Sequence, residues 1–168
     1  MSDFTAKQQD ERGIWQQGER FVADLYRSRG WEVIHREEQK MGDFFDFEIV
    51  GYNRTVRKKI DVKTDEWCSK PDRPSGNFVI ELVERLWRPE QGQKNAIGWA
   101  LHGDGEDVLI AFLDWHTREV FEVPRALLAS WAFDRERRLY PFLSRHPKGY
   151  ISFGVKVPKE MLEQYRLH

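Results

Sequence analysis

The sequence predicts one α/β domain spanning residues 1–168, with a central mixed sheet of about five or more strands and helices on its faces. Three observations carry that reading. An apolar stripe with helical spacing runs through residues 11–29 and stops at Gly30. Two stretches that alternate as strands do, 42–50 and 55–64, flank the turn-forming Gly51-Tyr-Asn-Arg54. Val108-Leu-Ile-Ala-Phe-Leu113 is an unbroken apolar run, the pattern of a strand covered on both faces.

Composition bounds the answer. A chain of 168 residues that is 40% hydrophobic and 33% charged has the balance of a soluble globular domain, and seven Trp and eleven Phe supply its core. The single cysteine, Cys68, excludes an internal disulfide framework and a cysteine-based zinc site. The absence of a signal-peptide pattern and of a long apolar run predicts a cytoplasmic protein without a membrane partner. With a net charge of −1, any surface for DNA has to be a local patch.

Taken in order, residues 1–9 are polar, a composition that predicts a loosely ordered terminus. In the helix, Trp15, Val22 and Tyr26 form the stripe, with Ile14, Phe21 and Leu25 beside it. Glu19 falls on that stripe. Burying an unpaired carboxylate is costly, so Glu19 either reaches water or an arginine from a helix shoulder, or is aimed at a site. Residues 31–36 read as a strand, with His35 packed beside Trp31 and Val33. The polar connection 37–42 carries Gln39 and Lys40 near the next strand. There, Phe45, Phe47 and Ile49 share one face, and Phe44, Asp46, Glu48 and Val50 the other.

In the following strand Val56, Ile60 and Val62 alternate with Lys59, Asp61 and Lys63. Asp61 and Lys63 therefore share a face, roughly 7 Å apart at a rise of about 3.3 Å per residue. Hairpin pairing would set Asp46 beside Asp61, and two carboxylates with a nearby backbone carbonyl make the all-oxygen site that Mg²⁺ prefers. The ordinary alternative is a solvated hairpin with Asp61–Lys63 or Glu48–Lys59 pairs, which are common and weak.

Residues 64–75 form an exposed loop that could lie along a substrate, and Cys68 within it has no visible base or metal partner. Residues 77–83 make a strand with Phe78, Ile80 and Leu82 on one face and Asn77, Val79 and Glu81 on the other. Arg85, Arg88 and Lys94, with Trp87 among them, either hold a nucleic-acid backbone or form a solvated loop. After a turn at Gly103-Asp-Gly105 come the apolar strand and a returning strand at 119–123. Pro124 opens a helix over 125–133, packed through Leu127, Leu128 and Trp131. The run 134–138 is net positive, 149–157 is a last strand, and Pro158 starts a closing helix through Met161, Leu162 and Tyr165.

Asp46, then Asp61-Val62-Lys63 after a turn, behind a helix carrying Glu19, resembles the PD-(D/E)xK nuclease superfamily over about the first two thirds of the chain. Gly76-Asn-Phe-Val-Ile-Glu81 looks like the strand that follows the motif in phage-type members, and Trp99 and Asp107 match that type loosely. The resemblance implies a restriction-endonuclease-like core and a metal-dependent deoxyribonuclease. Asp46, Asp61, the Val62 carbonyl and Glu19 would hold Mg²⁺ or Mn²⁺, and Lys63 would orient the attacking water or neutralise charge on the phosphate. Asn77 or Glu81 would lie near the metal, and the products would be a 5′-phosphate and a 3′-hydroxyl.

One departure bears on the site. The proline of the family pattern is absent, and Gly42-Asp43 or Phe45-Asp46 stands in its place. The first acid is therefore Asp43 or Asp46, with Asp46 preferred because it sits within the strand and shares a face with Glu48. Two competing readings stay open. One is a nuclease-like module that holds nucleic acid or a partner protein without cutting; the other is an assembly subunit of a homo-oligomer.

Overall fold

The computed structural model describes residues 13–35, 45–85, 96–101, 107–145 and 151–168. Among the described residues, nine strands form two sheets, accompanied by two α-helices. Helix α1 is Ile14–Ser28, followed by β1 (Glu32–His35), β2 (Phe47–Val50) and β3 (Arg57–Asp65). Next come β4 (Asn77–Arg85), β5 (Ala96–Ile97), β6 (Val108–Asp114) and β7 (Val120–Pro124). Helix α2 (Arg125–Phe133), β8 (Tyr140–Arg145) and β9 (Ile151–Pro158) complete the named elements.

The first sheet has the order β1-β2-β3-β6-β7 and is mixed, because β3 and β6 run parallel while the other neighbours are antiparallel. This is the predicted α/β arrangement. Strand β6 owes its interior place to composition: Ile110, Ala111, Phe112 and Leu113 are all buried, so both of its faces need cover. Ala111 and Leu113 pack under α1 with Val22, Ala23 and Tyr26. Ile110 and Phe112 point the other way, onto Phe78, Ile80, Val155 and Val157, with Leu128 and Trp131 of α2 closing that cluster.

The second face departs from expectation. Helices were expected on both faces, yet this one is covered largely by a four-stranded antiparallel sheet, β5-β4-β9-β8, with α2 beside it. Strand β8 was not foreseen. It contains Pro141, and a proline argues against a strand unless that strand lies at an edge, where β8 does lie. Strands β4 and β9 approach so closely that a Cβ on Gly154 would meet the Ile80 carbonyl oxygen at 2.1 Å.

Smaller corrections follow from the same packing. His35 is exposed rather than packed, and its Nε2 lies 3.0 Å from Arg27 Nη2. The closing segment is a 3₁₀ helix, Lys159–Tyr165, anchored by buried Leu162. Among the described residues no helix is long and apolar enough to cross a membrane.

Candidate active site

The site begins where β2 meets β3. The register sets Phe47 opposite Ile60, which leaves Asp46 level with Asp61. Asp46 lies just before β2 rather than inside it, at a bend in the chain. Its backbone N–H donates to the Ile60 carbonyl at 2.8 Å, and its Oδ2 accepts the Val62 N–H at 2.6 Å. The bend sends Phe45 into the cluster shared with the second sheet, whereas Phe47 and Ile49 pack under α1; the expected common face for these three ends at Asp46.

Asp61 and Lys63 share a face as strand geometry requires. Asp61 is buried, and its Oδ1 pairs with Lys63 Nζ at 2.8 Å. The Lys63 ammonium also sits 5.4 Å from the Trp99 ring centroid, within range of a cation–π attraction. Glu19 arrives from α1. Its helix docks through Gly18, whose bare Cα lets the backbone approach Thr64 of β3; a Cβ there would meet Thr64 Oγ1 at 2.0 Å.

Glu19, Asp46 and Lys63 converge on a cleft of about 480 Å³, lined also by Trp15, Glu81 and Trp99 among others; buried Asp61 does not itself line it and meets it through its pair with Lys63. Burial raises Glu19 above the usual carboxylate range; Lys63 opposes the shift and Asp61 adds to it. Asp46 is pushed up to about 7, by burial first and then by the charges of Asp61 and Glu19, against the Val62 N–H and Lys63. Three acids thus compete around one lysine, and the excess negative charge is what a bound cation would offset.

The acidic side chains suit a hard divalent cation, since their donors are carboxylate oxygens. Among the described residues, no three His, Cys, Asp or Glu side chains are gathered closely enough to enclose a metal ion. Mg²⁺ commonly keeps several of its waters and takes one or two carboxylates plus substrate phosphate, so a full protein cage is not required for it.

Other expected residues fall elsewhere. Glu48 stands opposite Lys59, lies 3.6 Å from Arg57 Nη1 and does not line the cleft. Asn77 lines a neighbouring groove instead, while Glu81 on the same strand does line the cleft. Arg85 ends β4. Its side chain, together with Asp43, Gln39, Lys40, Arg88 and Lys94, lies outside the described residues. Cys68 is buried, and burial followed by the charges of Asp114 and Asp65 pushes its thiol up to about 12, so it stays protonated at neutral pH.

Arg125 escaped the sequence reading. It opens α2, is 3% exposed, and feels the charges of Asp61 and Asp107, although burial lowers its pKa overall. Its signal was a cation in the first turn of a helix, the end that favours anions; such an arginine needs a nearby acid. Comparison with protein-family models, with curated proteins and with solved structures finds no significant match to this chain.

Proposed function

We propose that the protein is a metal-dependent deoxyribonuclease that hydrolyses phosphodiester bonds of DNA with Mg²⁺ or Mn²⁺. The observation that carries this reading is the convergence of Glu19 from α1, Asp46 from before β2 and Lys63 from β3 on one cleft, with buried Asp61 paired to Lys63. Asp46 and Asp61 would hold the cation, with Glu19 joining directly or through water. When bound, the cation lowers the pKa of its water and offsets charge developing on the phosphate.

The chain's own groups do the positioning. The Val62 N–H fixes one oxygen of Asp46 and leaves the other for the cation. Asp61 and the Trp99 ring hold the Lys63 ammonium at the cleft. From there Lys63 donates to the attacking water or to a non-bridging phosphate oxygen, where negative charge grows in the transition state. The resemblance implies that cleavage leaves a 5′-phosphate and a 3′-hydroxyl.

The separation of the acids favours a second reading, a module of the same architecture that binds nucleic acid or a partner protein without cutting. One experiment tests both. Supercoiled plasmid and single-stranded DNA are incubated with the protein in Mn²⁺, Mg²⁺ or EDTA, beside Asp61→Ala. Metal-dependent cutting that the variant loses is the expected result. Absence of both cutting and Mn²⁺ binding refutes the nuclease and leaves the binding module.

A further inference from the structure

A second groove, of about 550 Å³, adjoins the first, and Asp65, Val79 and Phe142 line both. Its remaining walls differ in character from the acidic cleft. Trp67 adds an aromatic ring beside the shared Phe142, and Arg73 and Lys156 are cationic. Asp65, the acid in this lining, is committed: its Oδ1 accepts the N–H groups of Trp67 at 2.7 Å and Cys68 at 2.6 Å. Among the described residues no ion pair claims Arg73 or Lys156.

The backbone that carries Trp67 is held in place. The loop after β3 closes on itself through Ser75 N–H to the Trp67 carbonyl and Gly76 N–H to the Cys68 carbonyl, both at 2.9 Å. Buried Cys68 pins the same turn to the core. Trp67 nevertheless stays 38% exposed, and the Lys70 ammonium lies 4.1 Å from its ring centroid, adding positive charge at the aromatic face.

We infer that this groove binds single-stranded nucleic acid and feeds it to the acidic cleft, with bases stacking on Trp67 and phosphates held by Arg73 and Lys156. The inference rests on the nuclease reading for the direction of feeding, though not for the binding itself. Charge complementarity selects a polyanion, and the fixed aromatic wall selects one whose base faces are open. A duplex hides those faces within its stack, whereas a single strand presents them. Strand β4 lines both segments, from Asn77 in the groove to Glu81 in the cleft. Four residues of strand span about 13 Å, room for about four nucleotides at a stacked spacing of roughly 3.4 Å.

The test is binding of a fluorescein-labelled oligothymidine to the full chain in EDTA, read by polarisation, beside a duplex of mixed sequence. The wild type should prefer the single strand. Trp67→Ala should weaken that binding about five- to 150-fold, the loss of one base stack, while Trp67→Phe keeps most of it. Arg73→Glu and Lys156→Glu, on the groove's charged wall, should weaken it and flatten its salt dependence by about 0.7 per phosphate contact in the logarithmic slope. These two variants keep the inference testable should Trp67→Ala fail to fold. Equal affinity of Trp67→Ala and wild type, or a preference for the duplex, overturns the inference. Single-strand binding that needs Trp67 in a protein that never cuts upholds the groove and refutes the nuclease alone.

Discussion

Replacing Gly18 by Ala should destabilise the protein, although Gly→Ala inside a helix normally stabilises it. The ordinary gain is about 1 kcal/mol, from lower backbone entropy in the unfolded chain. At Gly18 the new methyl would meet Thr64 Oγ1 at 2.0 Å, Cβ at 3.1 Å and Cγ2 at 3.2 Å. Rotating the Thr64 side chain can move Oγ1 aside but leaves its Cβ at 3.1 Å, so α1 still has to shift away from β3. Overpacking of this kind costs about 1–3 kcal/mol, which leaves a net loss of up to about 2 kcal/mol once the helix gain is subtracted. A chain of this size should then melt up to about 8 °C lower. Urea unfolding of Gly18→Ala, Thr64→Ala and the double variant measures the effect directly. The double variant should recover part of the loss, with a coupling of about 1 kcal/mol, since Thr64→Ala removes two of the three clashing atoms. Because Glu19 is the next residue, the displaced helix should also weaken Mn²⁺ binding without any acid being changed. A Gly18→Ala protein more stable than the wild type would refute this account of how α1 docks.

Lys63→Ala should lose cleavage under single-turnover conditions while retaining Mn²⁺ binding by titration; wild-type cleavage would remove Lys63 from the mechanism. Asp46 is pushed up to about 7, so the folded state binds a proton that the unfolded chain releases near pH 4. Metal-free stability should therefore fall as pH rises through that window, and Asp46→Asn, which keeps an acceptor for the Val62 N–H, should flatten the dependence; identical pH profiles by thermal melting would contradict this. Lys159 bonds Asp114 Oδ2 at 2.7 Å and also bonds Glu119, and Asp114 is fully buried. Lys159→Met should cost about 3 kcal/mol by leaving that carboxylate short of its counter-charge, measured by urea denaturation. Burial raises Asp114, but its bonds to Lys159 and Ser69 outweigh it and lower the carboxyl overall, as the bond to Lys159 does for Glu119. The stabilisation from this cluster should thus be present at neutral pH and fade as pH drops below the usual carboxylate range, a loss the Lys159→Met variant should no longer show.

The sequence by itself determined what local geometry dictates. Helical spacing announced α1 and put Glu19 on its apolar stripe, and strand alternation placed Asp61 and Lys63 on one face. A tight turn then brought Asp46 level with Asp61, because a short hairpin leaves the register little freedom. The bend at Asp46 was not legible, since alternation carries no mark of where a strand starts when apolar residues flank the break on both sides.

Only tertiary structure decided what distant segments do to one another. Glu19 reaches the Lys63 cleft because Gly18 lets α1 sink onto Thr64, a contact that no spacing within α1 records. Arg125 meets the charge of Asp61 because α2 packs against the first sheet. The aromatic and cationic groove exists because β8 and β9 carry Phe142 and Lys156 to the loop that holds Trp67. Side-chain direction follows from backbone period within an element, but adjacency between elements follows from which apolar faces bury one another, and that is settled by the packing of the whole core.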